Sequence, residues 1–179
     1  GFVMKTKAHK REELGETSHH LEWALAVKFE AQKITTKIIN IEWKIGKTGE
    51  LFPVSVLEPV ELMGSTVTRA SVYNAGWIIE NKAFPGCIVE IKKSGDIIPM
   101  IIQVIKPSNQ TYILPNKCPY CNSDLELDNM HLMCNNDDCI GKKFYQFVYG
   151  INSLKIDFFG EATLEKIFFG TNIRTPFDM

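Results

Sequence analysis

The sequence predicts a mainly β chain built around a small closed barrel, with a compact metal knot behind it and a helical segment at the end, multi-domain and α+β overall. Three observations carry this. Between residues 35 and 105, short runs of alternating apolar residues recur, separated by glycine, proline or asparagine turns. Four of the five cysteines fall within residues 118–139. From about residue 143 the pattern changes to helix formers at amphipathic spacing.

The elements follow in chain order. In FVMK, residues 2–5, Phe2 and Met4 alternate with Val3 and Lys5. In WALAVKF, residues 23–29, Trp23, Leu25, Val27 and Phe29 share one face, and the other carries Ala24, Ala26 and Lys28. A lysine framed by small residues has room for a ligand beside it, although a solvent-facing lysine on a half-buried strand explains the pattern equally well. TTKIINIEWKIGKTGELFPV reads as a hairpin, with Ile39, Ile41, Trp43 and Ile45 inward and a glycine-bounded turn at GKTGE. PVELM, STVTRASVYN, GCIVEIKK and IIPMIIQVI add strands, and AGWIIENKAF allows a helical turn or two. About five strands and one short helix in this length make the OB-fold barrel the leading candidate. GEATLEKIF places Leu164, Ile167 and Phe168 along one side of a helix.

Net charge is −1, yet it is unevenly placed. Lys5, Lys7, Lys10, Arg11, Lys28, Lys33, Lys37, Lys44 and Lys47 crowd the first part, whereas residues 118–139 hold five acids and no lysine or arginine. A near-neutral total can therefore contain a basic face suited to phosphates, with scattered solvated charge as the plainer alternative. No apolar run reaches membrane-span length and no leader pattern is present, so an intracellular protein without a membrane partner is expected. Because the first residue is Gly1, the natural start is expected to lie upstream.

The cysteines are spaced C-x2-C (Cys118, Cys121), twelve residues, then C-x4-C (Cys134, Cys139). Two short-spaced pairs joined by a hairpin-length segment suit a tetrahedral, structural Zn2+ site with no open position for catalysis. A redox C-x-x-C, two disulfides or chance are the alternatives, and His131 is an alternative ligand. Cys87 lies apart, alternating into an apolar strand as a core thiol.

In this order the segments resemble one family. LGETSHHLEWALAVKFEAQKITTKIINIEWKIGKTGELFPVSVLEPVELMGSTVTRASVYN, then CIVEIKKSGDIIPMI, then the four-cysteine finger, are similar to bacterial-type NAD-dependent DNA ligases over essentially the whole chain. The resemblance implies the end of a nucleotidyltransferase (adenylylation) domain at 1–32, an OB domain at 33–114, the finger at 115–142 and the start of a helix-hairpin-helix domain at 143–179. It implies that Lys5 and Lys28 lie against the adenylate phosphate and assist transfer. Lys47, where the family usually has arginine, Arg69, Asn74, Lys92 and Lys93 would face DNA. In IDFFGEA, Gly160 is kept but Phe158 replaces a glycine, so a packing role there is as expected as a phosphate contact.

The family's nucleophile, a lysine in K-x-D-G that forms the lysyl-adenylate and leads to a DNA-adenylate, is absent from this sequence. The expectation is therefore a DNA-binding downstream portion, fragment or split subunit, inactive alone. Its partners would be nicked duplex DNA and an upstream adenylylation domain or subunit. The complete enzyme would use NAD and Mg2+ in the cytoplasm of a bacterial cell or a virus-infected host. The rival expectation is a non-catalytic OB and zinc-finger module for single strands, with Tyr73 and Trp77 as its stacking platforms.

Overall fold

The computed structural model describes residues 1–18, 20–27, 31–95, 97–155 and 159–178. Two compact units result, Gly1–Gln32 and Lys33–Met179. In the first, β1 (Phe2–Lys5) pairs antiparallel with β2 (Ala24–Val27), and a one-turn helix α1 (Arg11–Leu14) lies between them in sequence. The register sets Val3 opposite Ala26 and Lys5 opposite Ala24. Cross-strand partners share a face, so Lys5 stands over the small-residue side of the ribbon. Phe2, Val3, Met4 and Leu25 are all exposed.

In the second unit, β3 (Lys33–Ile45), β4 (Glu50–Leu62), β5 (Ser65–Ser71), β6 (Ile88–Ser94) and β7 (Ile98–Lys106) run in the order β3-β6-β7-β5-β4. A further β3–β4 pairing closes the ring, and β5 meets β7 in parallel. This closed five-stranded barrel is the OB-fold that the sequence predicted. Helix α2 (Ala75–Glu80) joins β5 to β6 and delivers Ile78 to a core with Ile38, Leu57, Val89, Ile91 and Ile101, all nearly or fully buried. Each such side chain contributes roughly 1.5–3 kcal/mol by leaving water.

Two strand readings need correction. Ile38, not Ile39, enters the core, because the β3–β4 register shifts between Ile38 and Asn40 and the extra residue turns Ile39 outward. PVEL is the end of β4 and not a separate strand, and Met63 opens the turn to β5. The β4–β5 register shifts between Val56 and Val60, an irregularity that accommodates Pro59 without ending the strand.

The barrel sheet does not stop at β4. A hairpin of β8 (Leu125–Asp128) and β9 (His131–Cys134) extends it, with Glu50 opposite Met133 and Leu51 opposite Leu132. The Cys134 N–H donates to the Gly49 carbonyl at 2.9 Å. Gly49 has φ +94°, and a Cβ there would come within 2.5 Å of the Cys134 carbonyl oxygen, so the turn requires glycine on both counts. The cysteine hairpin is thus laddered onto the barrel by backbone hydrogen bonds.

Helix α3 (Ile140–Ser153) starts directly from Cys139, leaving no linker between the cysteine segment and the helices. Its Phe144, Phe147 and Ile151, at one-face spacing, pack against Leu164 and Phe168 of α4 (Glu161–Gly170). The inward side of α4 holds the three residues named from the sequence, with Ile167 half-buried. Among the described residues no helix is long and apolar enough to cross a membrane.

Candidate metal centre and nucleic-acid interface

Cys118 and Cys121 come from the knuckle before β8, Cys134 ends β9, and Cys139 caps the start of α3. Their four sulfurs lie within 4.8 Å of one another. The pairs Cys118–Cys139 and Cys121–Cys134 are 3.8 and 3.6 Å apart. Disulfide sulfurs would be about 2.05 Å apart, so no bridge joins these thiols. Four sulfurs each about 2.3 Å from a tetrahedral zinc would be about 3.8 Å apart along every edge. The donor set fits a metal ion held by four thiolates. His131 is turned away from the set, its Nδ1 meeting Glu50 Oε1 of β4 at 2.5 Å.

The centre is also a packing element. Cys118, Cys134 and Cys139 are buried with Ile45, Leu51 and Leu132, so the ligands share a core with the barrel. Burial pushes the Cys134 thiol up to about 12 and raises that of Cys139. Burial also acts upward on Cys121, but hydrogen bonds from the Ser123 side chain and backbone bring it down to about 6.

At neutral pH, Cys121 is therefore ready as a thiolate, while Cys134 and Cys139 carry protons that a metal must displace. Protons compete with the metal, so affinity rises with pH and the ion is released on acidification. With at least two protons displaced, log K should climb by about two or more per pH unit. Competition titration with a chromophoric chelator between pH 6 and 8 measures this slope, and a flat profile would contradict it.

The sequence-predicted contact residues are dispersed over the second unit. Arg69 on β5 is exposed and forks onto Glu42 of β3, with Nη2–Oε1 at 3.0 Å and Nε–Oε2 at 3.2 Å. The guanidinium holds the Glu42 carboxyl below the usual carboxylate range. Asn74 caps α2, its Oδ1 accepting the Trp77 N–H at 2.8 Å. Lys92 and Lys93 diverge. Lys92 is half-buried on the outer side of β6, whereas Lys93 is 8% exposed and donates to Ser65 Oγ at 2.8 Å across the barrel end.

Lys47, in the β3–β4 turn, places its Nζ 3.0 Å from the centre of the Tyr149 ring of α3. Gln146 Nε2 of the same helix donates to the Lys47 carbonyl at 3.1 Å. Sequence reasoning missed Tyr149, Gln146, Glu42 and Ser65 as neighbours of these cations. No local pattern announces them, because every one of the contacts crosses between elements.

In the first unit, Lys5 is exposed, with Nζ 5.9 Å from the Trp23 ring, on which Arg11 also stacks at 4.7 Å. Lys5, Thr6, His20, Trp23 and Ala24 help line an open groove of about 840 Å3. Lys28, the other lysine expected there, lies outside the described residues, as does Phe158 beside Gly160. Of the two stacking platforms, Tyr73 is exposed, but Trp77 packs half-buried against the barrel core.

Residues 35–112 match the family model described as the NAD-dependent DNA ligase OB-fold domain. The chain is 38% identical over 175 residues to a protein named DNA ligase from Clostridium tetani, covering 94% of this chain and 26% of that one. A DNA ligase from Desulfatibacillum aliphaticivorans is 35% identical over 161 residues, with 89% and 25% covered. One from Finegoldia magna is 35% identical over 182 residues, with 98% and 28% covered. The chain thus spans about a quarter of the length of the curated relatives it matches.

Proposed function

Residues 35–112 form an OB-fold domain of the NAD-dependent DNA ligase family, and from that premise we propose that this chain is the DNA-gripping downstream portion of such a ligase, acting on nicked duplex DNA. Residues 1–32 would be the end of the nucleotidyltransferase domain, 33–114 the OB domain, 115–142 the finger and 143–179 the start of a helix-hairpin-helix domain. The observation that carries the reading is the alignment of nearly the whole chain, in one order, with curated DNA ligases.

In this reading Lys5 and Lys28 reach the adenylate phosphate of a site completed by a separate segment or subunit. Their ammonium groups would offset charge that develops as the phosphoryl bond is exchanged. NAD would supply the adenylyl group, and Mg2+ would assist the complete enzyme. Lys47, Arg69, Asn74, Lys92 and Lys93 would meet the DNA. The placement of Arg69 and Lys93 adds a condition: each must leave a protein partner, Glu42 or Ser65, or share itself with it.

The ion in the finger would be Zn2+, and its role mechanical. Three of the five acids of this segment are paired with flanking lysines, Asp124 with Lys117 at 2.7 Å, Asp137 with Lys142 at 3.0 Å and Asp138 with Lys143 at 2.6 Å, and its carboxylates offer a phosphate nothing. The laddering of β9 onto β4 favours a brace that fixes the helices against the barrel.

The test is binding of the zinc-loaded chain to nicked duplex, intact duplex and single strand across a salt series. Four cations on phosphates, Lys47, Arg69, Lys92 and Lys93, give a slope of log K against log salt of about −3.5. Preference for duplex with a slope of that order supports the ligase reading. Preference for single strand would replace it with the stacking module, for which the exposed Tyr73 is the one favourable observation.

A further inference from the structure

Resting on the ligase reading, we propose that Tyr149 is a positioning residue for Lys47, its ring face holding the ammonium ready for a DNA phosphate. At this place lysine lacks a means of fixing its own direction. A flexible four-carbon stem carrying a point charge has no planar fork to fix its direction, and Lys47 is exposed at the tip of a turn. Left alone, it would sample many rotamers and lose that freedom on meeting a phosphate.

Helix α3 removes most of that freedom. Lys142, Gln146 and Tyr149 are spaced i, i+4, i+7 and form one stripe, which runs along the β3–β4 turn. The Lys142 stem approaches Gly49, Gln146 ties down the Lys47 carbonyl at 3.1 Å, and Tyr149 takes the ammonium at 3.0 Å. Backbone and side chain of one turn residue are thus held by one helix.

The kind of partner matters. Lys142 and Lys143 spend their charge on Asp137 and Asp138, and Arg69 on Glu42. Among the described residues no carboxylate pairs with Lys47. A ring face attracts a cation through its quadrupole but carries no net charge, so the ammonium keeps its full attraction for an anion. Tyr149 is itself 55% exposed, which leaves the pair open to solvent. An oriented, uncompensated cation is what a backbone phosphate contact needs.

The experiment compares the zinc-loaded full chain with Tyr149→Leu, Tyr149→Phe, Lys47→Met and the Lys47→Met/Tyr149→Leu double variant on nicked duplex. Zinc content and melting temperature serve as controls for folding. Tyr149→Leu is expected to lower affinity about 3–10-fold at low salt and, like Lys47→Met, to flatten the salt slope by up to about 0.9. Tyr149→Phe should keep the parent affinity and slope, since the ring face remains. The double variant should be no weaker than Lys47→Met alone, because both remove one contact.

An unchanged or tighter Tyr149→Leu overturns the proposal, as does an additive double variant that Phe does not rescue. Should Tyr149→Leu fail to fold, Tyr149→Gln carries the same comparison. A parent chain that ignores duplex DNA sinks the ligase reading together with the role of Lys47. A parent chain that binds duplex while Tyr149→Leu is silent sinks only the positioning role.

Discussion

Stripping the metal from the four-cysteine centre, or replacing Cys139 with alanine, is expected to unfold residues 116–139 and fray the start of α3, while the barrel and the α3–α4 core stay folded. Two of the sulfur pairs stand at the separation a tetrahedral zinc would set, and the 116–139 segment has little else to hold it. Apart from the ligands, its own buried apolar residues reduce to Leu132, with Leu125 and Tyr120 half-buried beside it. Structural zinc sites of this kind contribute roughly 10–16 kcal/mol of apparent binding free energy, far more than these side chains can supply. Cys139 is in addition the residue from which α3 departs, so its loss frees the start of that helix. The barrel core around Ile38, Ile78, Val89 and Ile101 includes none of the ligands and should persist. Hydrogen exchange with and without a chelator measures this directly. Amides of β9 and of the first turn of α3 should lose protection by several orders of magnitude, and those of β6 and β7 should hardly change. Protection retained in β9 and the first turn of α3 after the metal is gone would contradict the bracing role.

The chemistry of this centre was legible because it is local. A C-x2-C and a C-x4-C pair declare themselves within a single window, and alternation over one strand at a time is enough to suggest a barrel. What failed was whatever depends on pairing between distant strands. The outward turn of Ile39 follows from the β3–β4 register, and nothing within IINIEW announces it. The continuity of the finger hairpin with the barrel rests on Glu50 and Leu51 meeting Met133 and Leu132, far apart in the chain. The candidate interface is legible only in part for the same reason. Lys47, Arg69 and Lys93 can each be picked out as cations in turns or strands. Whether a cation is held by a ring, neutralised by a carboxylate or turned toward the barrel end depends on Tyr149, Glu42 and Ser65, which other elements deliver.

Replacing Lys28 with alanine should lower nick sealing by about 100–1,000-fold in an enzyme reconstituted with the segment or subunit that carries the nucleophile, with Lys5→Ala close behind. The size follows from the role proposed for these lysines. A fixed positive charge beside a phosphoryl group undergoing exchange acts where negative charge builds up, in a site shielded from bulk water, and the loss of one such group typically costs that much. The ribbon supports the placement for Lys5, which stands opposite Ala24 on the face bearing Ala26 and beside a groove open to an incoming group. Neither residue is among those that form the barrel core, the cysteine centre or the basic turn, so duplex affinity, salt slope and metal content should stay at parent values. That separation gives the test its force. A loss of sealing with binding intact assigns the two lysines to the chemical step, and Lys28→Arg, which keeps the charge but changes its geometry, should recover only part of the rate. Sealing unaffected by either alanine would remove the first 32 residues from the chemistry and leave this chain as a DNA clamp alone.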